Sequence, residues 1–370
     1  MKAKNDMILS GLILGMIWGN NLLAALLYGR EDLRLERVMD PTPASGEVVI
    51  KVGSATTCGT DLKVWRRGGH TKMLTLPTLF GHEAAGTIVA LGRDVTGWKM
   101  GNRVIANNSA PCMKCFYCQR QEYSLCPHLT WNNGSFAEYW RIPSAIVQHN
   151  MISIPEELPD DLAAMTEPLA CVLHGVARSG LKSHDECKGI VQKVVVMGDG
   201  AIGLMFVAKL AHDFPVEVIL FGGDNNRLMI GKKLGATHIF NYHQTPDIAG
   251  IVKELTDGLG ADIVIEATGV PSVWETAITT VRPGGTVNLF GGCPQDTSIL
   301  VSTEKLHYNE LTLKGVFHNT PYFVREALNL IATRRIPFHL LLSTKFDLKK
   351  LETAFCHMQE HKVIKAVIVP

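Results

Sequence analysis

The chain has 370 residues, 46% of them hydrophobic and 19% charged, with a formal net charge of +1. That length fits about two domains with ample core. The near-neutral balance, without any basic run, argues against nucleic acid as the main partner. The cysteines are odd in number, nine, and Cys58, Cys171, Cys187, Cys293 and Cys356 are scattered, which suits reduced thiols and metal ligands rather than a secreted disulfide framework.

No charge lies between Asp6 and Arg30. Met7 to Trp18 is a mostly apolar run that looks like a signal-peptide core, but Gly19-Asn20-Asn21 is no small-residue cleavage site. Counted through Tyr28, the stretch is long enough to span a bilayer. Asn20 and Asn21 interrupt it, however, and residues 22 to 28 read as the first strand of a soluble domain. Residues 1–21 are therefore taken as an appended segment without catalytic role in preference to a membrane tether. A signal, or a mistaken start with the true one at Met7 or Met16, remains the alternative.

Residues 22 to about 155 are rich in Gly, Pro and short β-branched runs: 47–52, 86–90 and 103–106. Turn residues separate them, so a many-stranded β domain with few helices is predicted. Within it, Cys112, Cys115, Cys118 and Cys126 are spaced C-x2-C-x2-C-x7-C. Four soft thiolates so close together suit a closed tetrahedral zinc site. Disulfides between such near neighbours would be strained. A metal can hold such a loop-like lobe in place of a hydrophobic core.

The texture changes near residue 160. Residues 161–178 have helical spacing. Val194-Val195-Val196-Met197 is a continuous apolar run, as in a parallel strand buried on both faces. A helix to about Ala211, a strand at 216–221 and a helix at 227–234 come next. Strands are predicted at 239–240, 262–266 and 286–290. One or two helices and a closing strand at 365–369 end the chain. Strands alternating with helices imply βαβ units and a parallel sheet.

Gly198-x-Gly200-x-x-Gly203 stands between a predicted strand and helix, with Ile202 in the helix's first turn. In that context the glycines permit a tight turn, close approach of a pyrophosphate and helix-on-strand packing. A carboxylate about twenty residues on would bind the ribose of NAD. Asp224 is near that distance but follows Gly222-Gly223, and Arg227 is close enough to meet a 2′-phosphate. NAD and NADP both stay open.

Cys58, His82 and Glu83 offer a mixed sulfur, nitrogen and oxygen donor set with a fourth position for water or substrate oxygen. They lie in Cys-Gly-Thr-Asp (58–61) and Gly-His-Glu (81–83). Glu167, in Glu-Pro-Leu-Ala-Cys (167–171), adds a carboxylate that ligates the metal at some step, orients its water, or simply meets a helix dipole.

These motifs, with Gly134-Ser135-Phe136-Ala137-Glu138-Tyr139 and Arg282-Pro283-Gly284-Gly285, resemble the zinc-containing medium-chain dehydrogenases over about Leu22 to Pro370. The similarity is to the polyol (sorbitol) and threonine dehydrogenase group. The resemblance implies an α/β plus β fold: a GroES-like catalytic domain at 22–176, with a structural-zinc lobe at 107–128, and a Rossmann domain at 177–316. Residues 317–370 would return to the catalytic domain. It further implies two zinc ions per chain, a nicotinamide cofactor, a small-molecule alcohol or ketone substrate, a homodimer or homotetramer, and a cytoplasmic location.

The expected reaction is interconversion of a secondary alcohol (polyol, sugar alcohol or cyclitol) and its ketone. Thr60 would pass the proton outward, and Thr268 and Gly291 would line the nicotinamide. Two departures stand out. Gly222 occupies the place where NAD-dependent members carry Asp, so use of both cofactors with a modest lean to NAD is expected, and Gly222→Asp is expected to sharpen it. Lys63 stands where the sorbitol enzymes often have His. The alternatives are an amino-alcohol (threonine-like) dehydrogenase and a non-catalytic dinucleotide-binding protein.

Overall fold

The computed structural model describes residues 21–69, 74–182, 186 and 189–370. The appended segment, all but Asn21, and Cys187 lie outside the described residues.

The β-rich half is built on two larger sheets, with a two-stranded pair, Ser109–Ala110 against Thr130–Trp131, beside the cysteine lobe. Leu22–Gly29 pairs antiparallel with Asp32–Val38 and with Thr78–Leu79. The larger sheet centres on Val48–Thr56, which is antiparallel to Ala84–Leu91, Tyr139–Ile142 and Lys365–Val369. Beyond these lie Arg103–Ala106 and Met151–Ser153 on one side and Leu342–Asp347 on the other. The last strand of the chain thus completes a sheet that begins near residue 48. Phe80, Phe136 and Phe355 lock this closure, with ring centroids 6.1 Å apart in each pair. Edge-to-face rings at that spacing add to the burial of three large apolar side chains.

A helix at Gly59–Arg67 interrupts the strands. Its start is built by a reciprocal cap: Cys58 Sγ accepts from the Thr60 amide at 3.3 Å, and Asp61 Oδ2 accepts from the Cys58 amide at 3.0 Å. Such a pair satisfies donors that a helix end leaves open. Gly68 ends the helix with φ 76°, a left-handed position that glycine fills without strain.

The second half holds a six-stranded parallel sheet in the spatial order 238–241, 216–222, 192–197, 261–266, 281–289, 312–315. Val194, Val196, Leu220 and Ile265 enter the core on one face, and Val195, Ile219 and Val264 the core on the other. This two-sided burial is the physical reason the strands read as unbroken apolar runs. The strand order reverses beside 192–197, and ligands of open parallel sheets bind in the crevice at such a point.

The helical spacing at 161–178 resolves into two helices, Asp160–Ala163 and Thr166–Arg178. Pro168 has no N–H to donate back to Ala164, so the ladder cannot run through. The second helix packs Leu169, Leu173 and Val176 into the core shared with Val324, Leu328 and Ile331 of Pro321–Ala332. Among the described residues, no helix is long and apolar enough to cross a membrane.

Candidate active site

The ligand atoms of Cys58, His82 and Glu83 lie within 4.8 Å of one another. Three elements deliver them: the start of the Gly59–Arg67 helix and the loop that leads into Ala84–Leu91 supply the donors, and Lys365–Val369 supplies a support. Asp61 Oδ1 lies 2.9 Å from His82 Nδ1, which leaves Nε2 as the donor nitrogen, the usual outer contact of a metal-bound imidazole. Glu83 Oε2 takes Thr56 Oγ1 at 2.5 Å and the ammonium of Lys365. Glu83 Oε1 is buried and takes no hydrogen bond among the described residues. Leaving a buried carboxylate oxygen unpaired is costly, so this orphan atom fits a cation better than it fits a purely structural role.

In the cysteine lobe, the four sulfurs also lie within 4.8 Å of one another. Cys115 Sγ is 3.5 Å from Cys118 Sγ and 3.8 Å from Cys126 Sγ. Those separations are far beyond an S–S bond of about 2.05 Å. They match the edge of a tetrahedron with about 2.3 Å from metal to sulfur. Amide donors, Lys114 N–H first, lower the Cys112 thiol to about 6, whereas burial raises Cys118 and Cys126, so the sulfur geometry and not the acidity of the thiols supports a metal here.

Glu167 sits beside the first group. Burial pushes its carboxyl up to about 7, His82 opposing and Glu83 reinforcing the shift. Its Oε1 accepts from Asn319 Nδ2 at 3.0 Å, and Asn319 Oδ1 accepts from Asn107 at 3.0 Å. Cys171 and His318 complete a third close group with it. Thr60 is half-buried and tied by its amide to Cys58. Lys63 reaches across to the nucleotide half, where its Nζ donates to the Thr268 carbonyl at 3.2 Å.

The glycine-rich turn follows the strand at 192–197. Gly198 has φ 120°. A Cβ on Gly203 would lie 1.8 Å from Gly198 O, whereas one on Gly200 would meet nothing within 4 Å. Gly203 therefore serves packing, and Gly200 faces open space at the start of the Ala201–Asp213 helix, where no side chain caps the first amides. Ile202 packs on the core beside them.

Thr268 and Gly291 meet through Glu266, a fully buried carboxylate that the sequence reading left out. Its Oε1 accepts from the Thr268 amide at 2.6 Å and the Gly269 amide at 3.0 Å, and its carbonyl accepts from Gly291 at 2.9 Å. Asp224 caps the Asn225–Lys233 helix through Arg227 N at 2.9 Å, and the Arg227 guanidinium donates to Val363 O at 2.7 Å. Arg227 is thus engaged by the C-terminal segment.

The expectation for Gly222 meets an obstacle. A Cβ there would lie 2.5 Å from Asp199 Cβ and 2.6 Å from its Oδ2. A carboxylate added by Gly222→Asp alone has no room beside Asp199. Asp61, Lys365, Asn319, Glu266 and Asp199 all escaped the sequence reading. Asp61 alone left a local signal, standing three residues after Cys58 as a capping acid does.

Comparison with known proteins identifies the class. Residues 44–156 match the alcohol dehydrogenase GroES-like domain, and residues 201–333 match the zinc-binding dehydrogenase family. The chain belongs to the zinc-binding dehydrogenases, NAD(P)-linked alcohol oxidoreductases with a GroES-like and a Rossmann-like domain. It is 31% identical to a sorbitol dehydrogenase from Halalkalibacterium halodurans, over 93% of this chain and 97% of that one. It is 32% identical to a D-arabitol-phosphate dehydrogenase from Enterococcus avium, over 89% and 91%. A zinc-binding dehydrogenase from Sinorhizobium meliloti 1021, solved bound to NADP, superposes with a TM-score of 0.85 at 27% identity, over 95% of this chain and all of that one.

Proposed function

We propose that the protein oxidises a secondary alcohol of a polyol, sugar alcohol or cyclitol to its ketone, and reverses the reaction, with NAD favoured modestly over NADP. The observation that carries this reading is the orphaned Glu83 Oε1 beside Cys58 and His82. In this reading Cys58, His82 and Glu83 hold a catalytic zinc, and Cys112, Cys115, Cys118 and Cys126 hold a structural one. The relatives' polyol substrates support the substrate class.

When bound, zinc supplies Lewis acidity at the alcohol oxygen and the nicotinamide accepts the hydride. The chain's own residues do the rest. Asp61 fixes the His82 ring, and Lys365 with Thr56 fixes Glu83 so that Oε1 faces the site. Thr60 Oγ1 carries the alcohol proton outward. Glu167, poised near neutral pH, holds or releases a proton beside the site. Gly198 and Gly200 let the pyrophosphate approach, Ile202 and Gly203 hold the helix against the strand behind them, Asp224 and Arg227 border the ribose end, and Thr268 and Gly291 border the nicotinamide.

The domain limits proposed are 22–176, 177–316 and 317–370, in a cytoplasmic dimer or tetramer. The test is NAD(P)H formation by zinc-loaded protein across polyols, cyclitols and amino alcohols. Turnover of polyols or cyclitols supports the reading. Turnover of amino alcohols alone, or of none, rejects it.

A further inference from the structure

Asp199 lies between the first two glycines of the phosphate-binding turn, yet its side chain points away from that turn's usual work. Its Oδ2 accepts from the amides of Gly223 at 2.9 Å and Asp224 at 2.8 Å. Those two amides open the loop that follows the strand Val216–Gly222. In this fold, the end of that strand is where a carboxylate reads the hydroxyls of the adenosine ribose. Gly222 has no side chain to do so. The first atoms of any side chain at 222 would fall on Asp199 instead, 2.5 Å from its Cβ and 2.6 Å from its Cγ and Oδ2.

We infer that Asp199 supplies the ribose-reading carboxylate from the glycine-rich turn, and so selects NAD against NADP. The inference rests on the dinucleotide-binding reading above and names the residue that sets its cofactor choice. Both amide bonds fall on Oδ2, so Oδ1 is without a partner among the described residues and is able to accept from a ribose hydroxyl. Two amide donors fix the carboxylate, so it cannot swing aside for a 2′-phosphate. Arg227, whose guanidinium feels the Asp199 charge, is held in place by its donation to Val363 O. A nucleotide with a 2′-phosphate would bring about two negative charges against a held carboxylate. The same contact explains Gly222, since only a residue without Cβ leaves room for Asp199.

The test is equilibrium binding of NADH and NADPH to the full chain, followed by the fluorescence of the bound nucleotide. Wild type should bind NADH up to about tenfold more tightly, a difference of about 1.4 kcal/mol. Asp199→Asn keeps an oxygen for the two amides and removes the charge, so the NADH-to-NADPH ratio should fall by up to about tenfold, mainly through tighter NADPH. The double variant Asp199→Gly with Gly222→Asp moves the carboxylate to the strand end and should restore the NADH preference.

A ratio unchanged in Asp199→Asn, with both nucleotides still bound, overturns the assignment to Asp199 while leaving the dinucleotide site standing. Failure of wild type to bind either nucleotide overturns the site and the assignment together. If Asp199→Asn does not fold, Asp199→Gly is compared with the double variant: loss of the NADH preference in the first and its return in the second support the assignment, and an unchanged preference in Asp199→Gly overturns it.

Discussion

Lys365 donates its ammonium to Glu83 Oε2, and both side chains are sealed from solvent, at 1% and 0% exposed. Lys365 also donates to the Thr57 carbonyl at 2.7 Å. Burial opposes a charge on this lysine, but Glu83, Cys58 and Asp61 together outweigh it and hold the ammonium above its ordinary value. The pair is a support for a proposed metal ligand, built from the far end of the chain.

Breaking that pair from one side should be costly. Lys365→Met strands the Glu83 carboxylate in a buried place and is expected to lower stability by about 3–5 kcal/mol. Urea unfolding measures it. A loss below about 1 kcal/mol would show that Glu83 finds its compensation elsewhere.

The two cysteine-containing groups should separate cleanly. Metal analysis of fresh protein is expected to find two zinc ions per chain. Cys115→Ser should lose one and lower the melting temperature, because binding energy in a closed site is folding energy. Cys58→Ala should abolish turnover with a smaller thermal effect. One zinc in fully active wild type sinks the two-site reading.

Gly200 and Gly203 should behave differently although both belong to one motif. Gly203→Ala drives a methyl into Gly198 O at 1.8 Å, so the fold should lose stability. Gly200→Ala meets open space at φ −72°. As the helix N-cap, where alanine is less favourable than glycine, it should lower the melting temperature only slightly and weaken NADH binding about tenfold by crowding the pyrophosphate. Equal melting temperatures in the two variants would contradict this division.

Glu167 gives a pH signature in metal-stripped protein. Its folded value of about 7 lies above the ordinary 4.5, chiefly through burial. Between those values the folded chain holds a proton that the unfolded chain has lost. Stability should therefore fall as pH rises from 4.5 to about 7, and by no more than about 3.5 kcal/mol. Glu167→Gln should flatten that slope in urea midpoints taken across the same range. Parallel slopes in both proteins would remove Glu167 as the cause.

Much of this architecture is legible from residue order because its signals are local. Four cysteines within one short loop, and glycines between a strand and a helix, carry their own spacing. Val194 to Met197 reads as a buried strand because apolar residues are needed on both faces. The supports are not local. Asn319, Lys365 and Glu266 reach the site from segments far along the chain, and no spacing rule ties Lys365 to Glu83. Asp199 is hidden for another reason. Its role depends on where the end of the 216–222 strand lies in space, and the only trace in the sequence is a glycine where a carboxylate is expected.

The closing strand Lys365–Val369 also sets an order of events during synthesis. Glu83 leaves the ribosome 282 residues before the lysine that neutralises it. At the usual rate of elongation that gap lasts roughly 15–60 s. Throughout it, Ala55 and Thr56, at the end of the central strand, await their partner, and the Glu83 carboxylate is without its lysine. The nucleotide-binding half, whose parallel sheet is complete by Gly315, is able to fold before the older half is finished. The support of Glu83 is then completed only once Lys365 has been made, later than the sheet of the nucleotide-binding half.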